Sequence, residues 1–150
     1  MFKASHSITI ARDASEVFDY VADAGRQRSW NALVRSMDRD GDGPLGVGTR
    51  WRGDIARVGK VEVELLEYDR PRRVVHLARP WMADALHVWE VQERAGGSRL
   101  VQHGDMRPRR LGWLIAPLMP RIVRRQLRDC ARSLKHALER EAAAPSSWHG

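Results

Sequence analysis

The sequence predicts an α+β fold: an antiparallel meander of about seven strands, with two short helices after the first strand, packed on one long C-terminal helix. Three observations carry this. Apolar and polar residues alternate in short runs from His6 to Met106, the period of two of half-buried strands. The links between those runs are brief and rich in Gly, Pro and Asp, which joins strands as antiparallel neighbours. From Pro120 onward the period changes to that of a helix, with arginines along one arc.

Taken in order, His6, Ile8 and Ile10 alternate with Ser7 and Thr9 as a first strand. Asp13 with Glu16 three residues on forms a capping-box pattern, and Val17, Phe18 and Val21 share one face of the helix it opens, which Gly25 ends. A second short turn runs to Trp30, before a strand at Leu33–Met37. Residues 38–48 read as a loop. Its Asp38, Asp40, Asp42 and Gly43 imitate the opening of a calcium loop, but position twelve is Thr49 rather than the bidentate Glu, so no calcium site is expected. Trp51–Ile55, Val61–Leu65, Val74–Ala78, Leu86–Glu93 and Arg99–Met106 continue the meander, with turns at Asp69–Arg72 and Ala95–Ser98. In the last helix, predicted from about Pro120 to Glu141, Ile122, Leu127, Cys130, Leu134, Ala137 and Leu138 fall on one side. Arg121, Arg124, Arg125, Arg128, Arg132 and Lys135 occupy the other. The domain is expected to span residues 1–141, with 142–150 as a flexible tail.

A chain of 150 residues with 43% hydrophobic and 30% charged residues suits one globular domain. Its start lacks the apolar core of a secretory signal, and no apolar run approaches the roughly 18 residues of a membrane span; the expected location is the cytoplasm. Cys130 is the only cysteine, which excludes intramolecular disulfides and cysteine-rich zinc sites. The net charge of +7 is concentrated: residues 107–140 hold ten Lys/Arg against two acids, a net +8, so the rest sums to −1.

The order of elements, with Ile8-Thr-Ile-Ala-Arg-Asp-Ala-Ser-Glu-Val-Phe-Asp-Tyr-Val-Ala-Asp, Trp30, Gly46-Val-Gly-Thr-Arg-Trp, Glu67-Tyr-Asp-Arg-Pro-Arg-Arg, Trp89-Glu-Val, Gly97-Ser-Arg-Leu and an Arg-rich helix ending Leu138-Glu, resembles the START-like (SRPBCC) superfamily. The likeness is strongest to its polyketide cyclase/dehydrase-like branch and covers about residues 3–141. The resemblance implies a helix-grip fold, in which a curved sheet wraps the final helix around a cavity. It also implies which side chains face that cavity: Trp51, Val63 and Leu65, then Val74, His76 and Ala78, then His87, Trp89 and Val91.

The expected ligand-binding set is therefore Trp51, Val63, Leu65, Tyr68, His76, His87, Trp89 and Val91, suited to a small apolar or aromatic molecule. Two function classes follow. One is a binding or carrier protein for a lipid, quinone or polyketide-like metabolite. The other is a polyketide cyclase, aromatase or dehydratase in which His87 moves the proton, assisted by His76 or Tyr68. No cofactor motif is present, and His76, His87 and His103 lack the paired spacing of a zinc site. The aromatics are not interleaved with the arginines as single-strand nucleic-acid binding requires. Weak contact with an anionic membrane through the arginine face and Trp113 is a further expectation. The sequence leaves the oligomeric state open.

Overall fold

The computed structural model describes residues 2–81, 83–109, 114 and 117–143. Seven strands run in chain order: β1 (Phe2–Ile10), β2 (Val34–Asp40), β3 (Arg50–Ile55), β4 (Gly59–Asp69), β5 (Arg73–Pro80), β6 (Ala83–Arg94) and β7 (Gly97–Pro108). All neighbours are antiparallel, in the order β1-β7-β6-β5-β4-β3-β2. A helix α1 (Ala14–Ala22) and a 3₁₀ helix (Ala24–Ser29) separate β1 from β2, and the long helix α2 (Met119–Ala143) follows β7.

Local chemistry explains the meander. The β6–β7 hairpin turns on Ala95 and Gly96 alone, and Gly96 sits at φ +78°, a conformation that tight hairpin loops demand and glycine adopts at no steric cost. Strand β4 carries a bulge between Leu65 and Glu67, after which Tyr68 pairs with Val74. The extra residue bends the strand and increases its twist, curving the sheet and returning Tyr68 to the face that holds Leu65. At Gly53 a side chain would run into the Ser36 carbonyl across the β2–β3 irregularity.

The inner face of the curved sheet carries the core. Ile10, Phe18, Trp51, Leu65, Leu100, Leu134 and Leu138 are all essentially inaccessible to solvent. Helix α2 lies over β1 and crosses β7 at Gly104, where Val123 and Leu127 approach the backbone. Its second half is tied to the β1–α1 link: Arg12 Nη1 donates to the Leu138 carbonyl at 3.0 Å, and the Ala11 amide donates to Glu139 Oε1 at 3.3 Å. Helix α1 is held to the β4–β5 turn by Arg70, whose Nε and Nη2 donate to both Asp19 oxygens at 2.7 and 2.9 Å. That hydrogen-bonded pair holds the Asp19 carboxyl below its ordinary range.

Four local expectations are corrected. Asp13 stands at the start of α1 but makes no side-chain cap, and Glu16 pairs instead with Arg12. Helix α1 ends at Ala22 rather than Gly25, and Asp23 caps the 3₁₀ helix by accepting from the Gly25 amide at 2.9 Å. Asp38 and Asp40, expected in a loop, belong to β2. On α2, Ile122 is 48% exposed while Val123 beside it is buried. The segment around Trp113, apart from exposed Leu114, and the tail beyond Ala143 lie outside the described residues.

Candidate ligand cavity and its histidines

Strand register puts the candidate residues on one face. Trp51 pairs with Val63 and Val63 with Ala78; Leu65 pairs with His76 and His76 with His87; Val74 pairs with Trp89 and Trp89 with Gln102; Val91 pairs with Leu100. The space between this face and α2 divides them. Val63, His76, His87 and Trp89 line a cavity of about 80 Å³. Trp51, Leu65 and Val91 are buried in the core beside it. Tyr68 is half-buried and packs edge-on against Phe18, with ring centres 5.3 Å apart.

The remaining wall comes from elsewhere in the chain. Gln27, Trp30 and Asn31 contribute from the 3₁₀ helix and the link after it, Met37 and Ile55 from β2 and β3, Ala78 from β5, Gln102 from β7, and Gln126 and Cys130 from α2. The sequence carried a signal for some of these. Gln102 lies two residues from Leu100, so alternation places it inward, and Cys130, half-buried on α2, stands one helical turn after the exposed Gln126. Trp30 had no periodic signal because a short 3₁₀ segment has no stable face pattern. It meets Trp89 edge-on, with ring centres 6.1 Å apart and planes at 84°, an arrangement favoured between aromatic quadrupoles.

The two histidines differ. His76 is 2% exposed, and its Nε2 lies 2.9 Å from the Ala22 carbonyl. A carbonyl can only accept, so Nε2 carries the proton. Nδ1 is then an acceptor, and it is buried without a partner. Burial pushes the His76 pKa down to about 4, against the opposing pull of that hydrogen bond, so the ring is neutral at physiological pH. Trp51 fixes the ring edge-on at 5.8 Å. His87 is enclosed by protein yet keeps free surface, because it lines both the cavity and a smaller cleft of about 20 Å³ beneath α2. Burial lowers its pKa as well, and no hydrogen bond to its ring occurs among the described residues.

Among the described residues the wall contains no Asp, Glu, Lys or Arg. Its polarity is neutral, and part of it is unsatisfied: Trp30 Nε1, His76 Nδ1 and Gln102 Oε1 are buried without hydrogen-bond partners. Each such group costs roughly 1–3 kcal/mol. Asn31 Nδ2 reaches only the Cys130 sulfur, at 3.9 Å. Burial and nearby Asp129 push the Cys130 thiol up to about 11, so it stays protonated and is a poor nucleophile. His103 points to the other side of the sheet, beside Ser5 Oγ at 2.7 Å and Glu90 at 3.6 Å. Among the described residues no cluster of three His, Cys, Asp or Glu side chains could hold a metal ion.

A seven-stranded grip on a C-terminal helix, with a mostly apolar cavity beneath it, matches the family described as "Polyketide cyclase / dehydrase and lipid transport" over residues 1–139. The chain belongs to that family. No curated protein matches it. Among solved structures, a START superfamily protein from Mycobacterium smegmatis superposes with a TM-score of 0.75 at 13% identity, covering 93% of this chain and 99% of that one. A protein from Thermus thermophilus gives 0.73 at 18%, covering 95% and 99%. The di-domain ARO/CYC StfQ from the steffimycin biosynthetic pathway gives 0.73 at 11%, covering 95% of this chain and 52% of that one. Identities this low establish the shared helix-grip fold. No helix among the described residues is long and apolar enough to cross a membrane.

Proposed function

We propose that the protein binds a small, largely apolar molecule bearing one or two neutral hydrogen-bonding groups, in the cavity between the inner face of the sheet and α2. The supporting observation is the chemistry of the wall. Apolar and aromatic surface surrounds unpartnered polar atoms, one donor on Trp30 and two acceptors on His76 and Gln102. A quinone, an aromatic ketone or the buried end of a polyketide-like or lipid molecule presents complementary groups, and satisfying buried polar atoms strengthens binding and selects among ligands.

The cavity of about 80 Å³ is smaller than the roughly 300–1,000 Å³ of a drug-sized site. Accommodation therefore requires the seam between α2 and residues 27–31 to yield, and its weak Asn31–Cys130 contact opposes that little. The test is titration with an apolar fluorescent probe. Saturable one-to-one binding with a change in tryptophan emission is expected, most of it lost in Trp89→Leu. Probe uptake that never saturates, or that a quinone or lipid does not displace, overturns the proposal.

A second reading, a cyclase or dehydratase, is favoured by His87. It is a neutral imidazole with free surface in the cavity and no competing hydrogen bond among the described residues, as a general base requires. His76 is committed to Ala22 and would position the site rather than move protons. In that case His87→Gln abolishes turnover while ligand affinity stays within about tenfold, the signature of a group serving the transition state. Equal loss of rate and affinity would make His87 a wall residue.

A further inference from the structure

A second hollow adjoins the cavity. It is an open groove of about 510 Å³ between α2 and the chain after the 3₁₀ helix, and it shares Trp30 and Asn31 with the cavity wall. Its rim carries Arg28, His136 and Arg140, with Ser29 and Ser133, and no carboxylate among the described residues. Neither Arg28 nor Arg140 forms an ion pair among the described residues, whereas Arg50, Arg52, Arg73 and Arg79 on the sheet face glutamates. The groove thus concentrates uncompensated positive charge beside an uncharged cavity.

We infer that the groove is the outer half of the ligand site, and that the ligand is an amphiphile whose acidic head rests on Arg28 and Arg140 while its apolar body passes Trp30 into the cavity. This rests on the proposal that the cavity binds an apolar molecule. Helix geometry sets the scale. Cys130 lies in the cavity wall and Arg140 at the groove, ten residues and about 15 Å apart along α2 at about 1.5 Å per residue. A medium-length acyl chain or a few fused rings cover that distance. Guanidinium forks suit carboxylate and phosphate oxygens. The partial negative charge at the C-terminal end of a helix disfavours an anion there, and two full guanidinium charges outweigh it. The unpartnered Trp30 Nε1 at the boundary gives a polar atom of the ligand a donor where head and body meet.

The test compares dodecanoate, dodecyl phosphate and methyl dodecanoate by displacement of a bound probe, in the native chain and in Arg28→Gln/Arg140→Gln. Either acid should bind about tenfold tighter than the ester at low salt, the sum of two exposed charge pairs, and salt should shrink that advantage. The double variant should lose the preference without weakening the ester, and Arg28→Lys/Arg140→Lys should restore part of it. Both acids matching the ester in the native chain would overturn the inference while leaving the cavity proposal standing. Equal weakening of acid and ester in a variant with native circular dichroism would also overturn it. Failure of all three to displace the probe would instead defeat the cavity proposal and, with it, this one.

Discussion

The inner face of the sheet has two halves built from the same alternation. Under the second half of α2, Ile10, Leu100, Val91, Leu134 and Leu138 pack among apolar neighbours, with the small Ser98 hydroxyl the exception, and are almost fully shielded from solvent. Under the 3₁₀ helix, the same face presents His76, His87 and Gln102 among aromatics, and there a cavity and the unpartnered polar atoms of Trp30, Trp51, His76 and Gln102 remain. Buried polar groups without partners cost stability, so a fold selected for stability alone would replace them. The first half holds the fold together, and the second gives up part of that stability to present hydrogen-bonding groups. Substitutions in the two halves should therefore behave oppositely.

The largest contrast is between Leu134→Ala and Gln102→Leu. Leu134 is fully buried, and its truncation should cost roughly 2–5 kcal/mol in urea unfolding. Gln102, 3% exposed with an unpartnered oxygen, should tolerate leucine with a change of less than about 1 kcal/mol of either sign, because the lost polarity was unsatisfied. A loss at Gln102 as large as that at Leu134 would erase the distinction between the halves.

Next in size is a pH effect confined to the polar half. The folded-state pKa of His76 is about 4, against about 6.5 unfolded. The folded chain excludes a proton that the unfolded chain binds. The neutral ring's contribution is therefore complete above pH 6.5 and falls away as pH drops to about 4. A shift of that size is worth about 3 kcal/mol as an order of magnitude. Burial of His87 acts in the same direction. Midpoints of urea unfolding from pH 7.5 to 4 should fall in the native chain and flatten in His76→Gln; parallel slopes would mean that His76 titrates freely.

How far each half was legible from the sequence follows from the same physics. Alternation in β3 to β7 left two choices of face per strand, and the family resemblance chose between them. Neither could separate Trp51 and Leu65, which are core, from His76 and Trp89, which meet open space. That depends on how closely α1 and α2 press on each point of the sheet. Ile122 and Val123 are adjacent and equally apolar, so the helical phase at the start of α2 was undetermined until later residues fixed it. Trp30, Asn31 and Gln27 were not assigned to the cavity because the 3₁₀ turn and the link after it carry no regular face pattern, and the groove escaped because Arg28 and Arg140 lie more than a hundred residues apart in the chain.

The smallest effect concerns the caps at the junction of the halves. Asp13 opens α1, on the packed side, with no side-chain hydrogen bond, whereas Asp23 opens the 3₁₀ helix that roofs the cavity and accepts from the Gly25 amide at 2.9 Å. Capping oxygens are worth roughly 0.5–2 kcal/mol when they accept an orphan amide. Asp23→Ala should therefore cost about 1 kcal/mol, and Asp13→Ala a few tenths at most, from the charge near a helix N-terminus alone. The sequence pattern favours the opposite order, since Asp13 with Glu16 resembles a capping box and Asp23 does not. Urea midpoints for the two variants decide between pattern and geometry. The Asp23 variant carries a further signature. Because its side chain fixes the segment leading to Trp30 and Asn31, its loss should loosen the roof and raise the rate at which an apolar probe enters the cavity. Stopped-flow mixing should show faster probe association in Asp23→Ala and an unchanged rate in Asp13→Ala; equal rates would mean that the roof is held by Trp30 packing on Trp89 rather than by its cap.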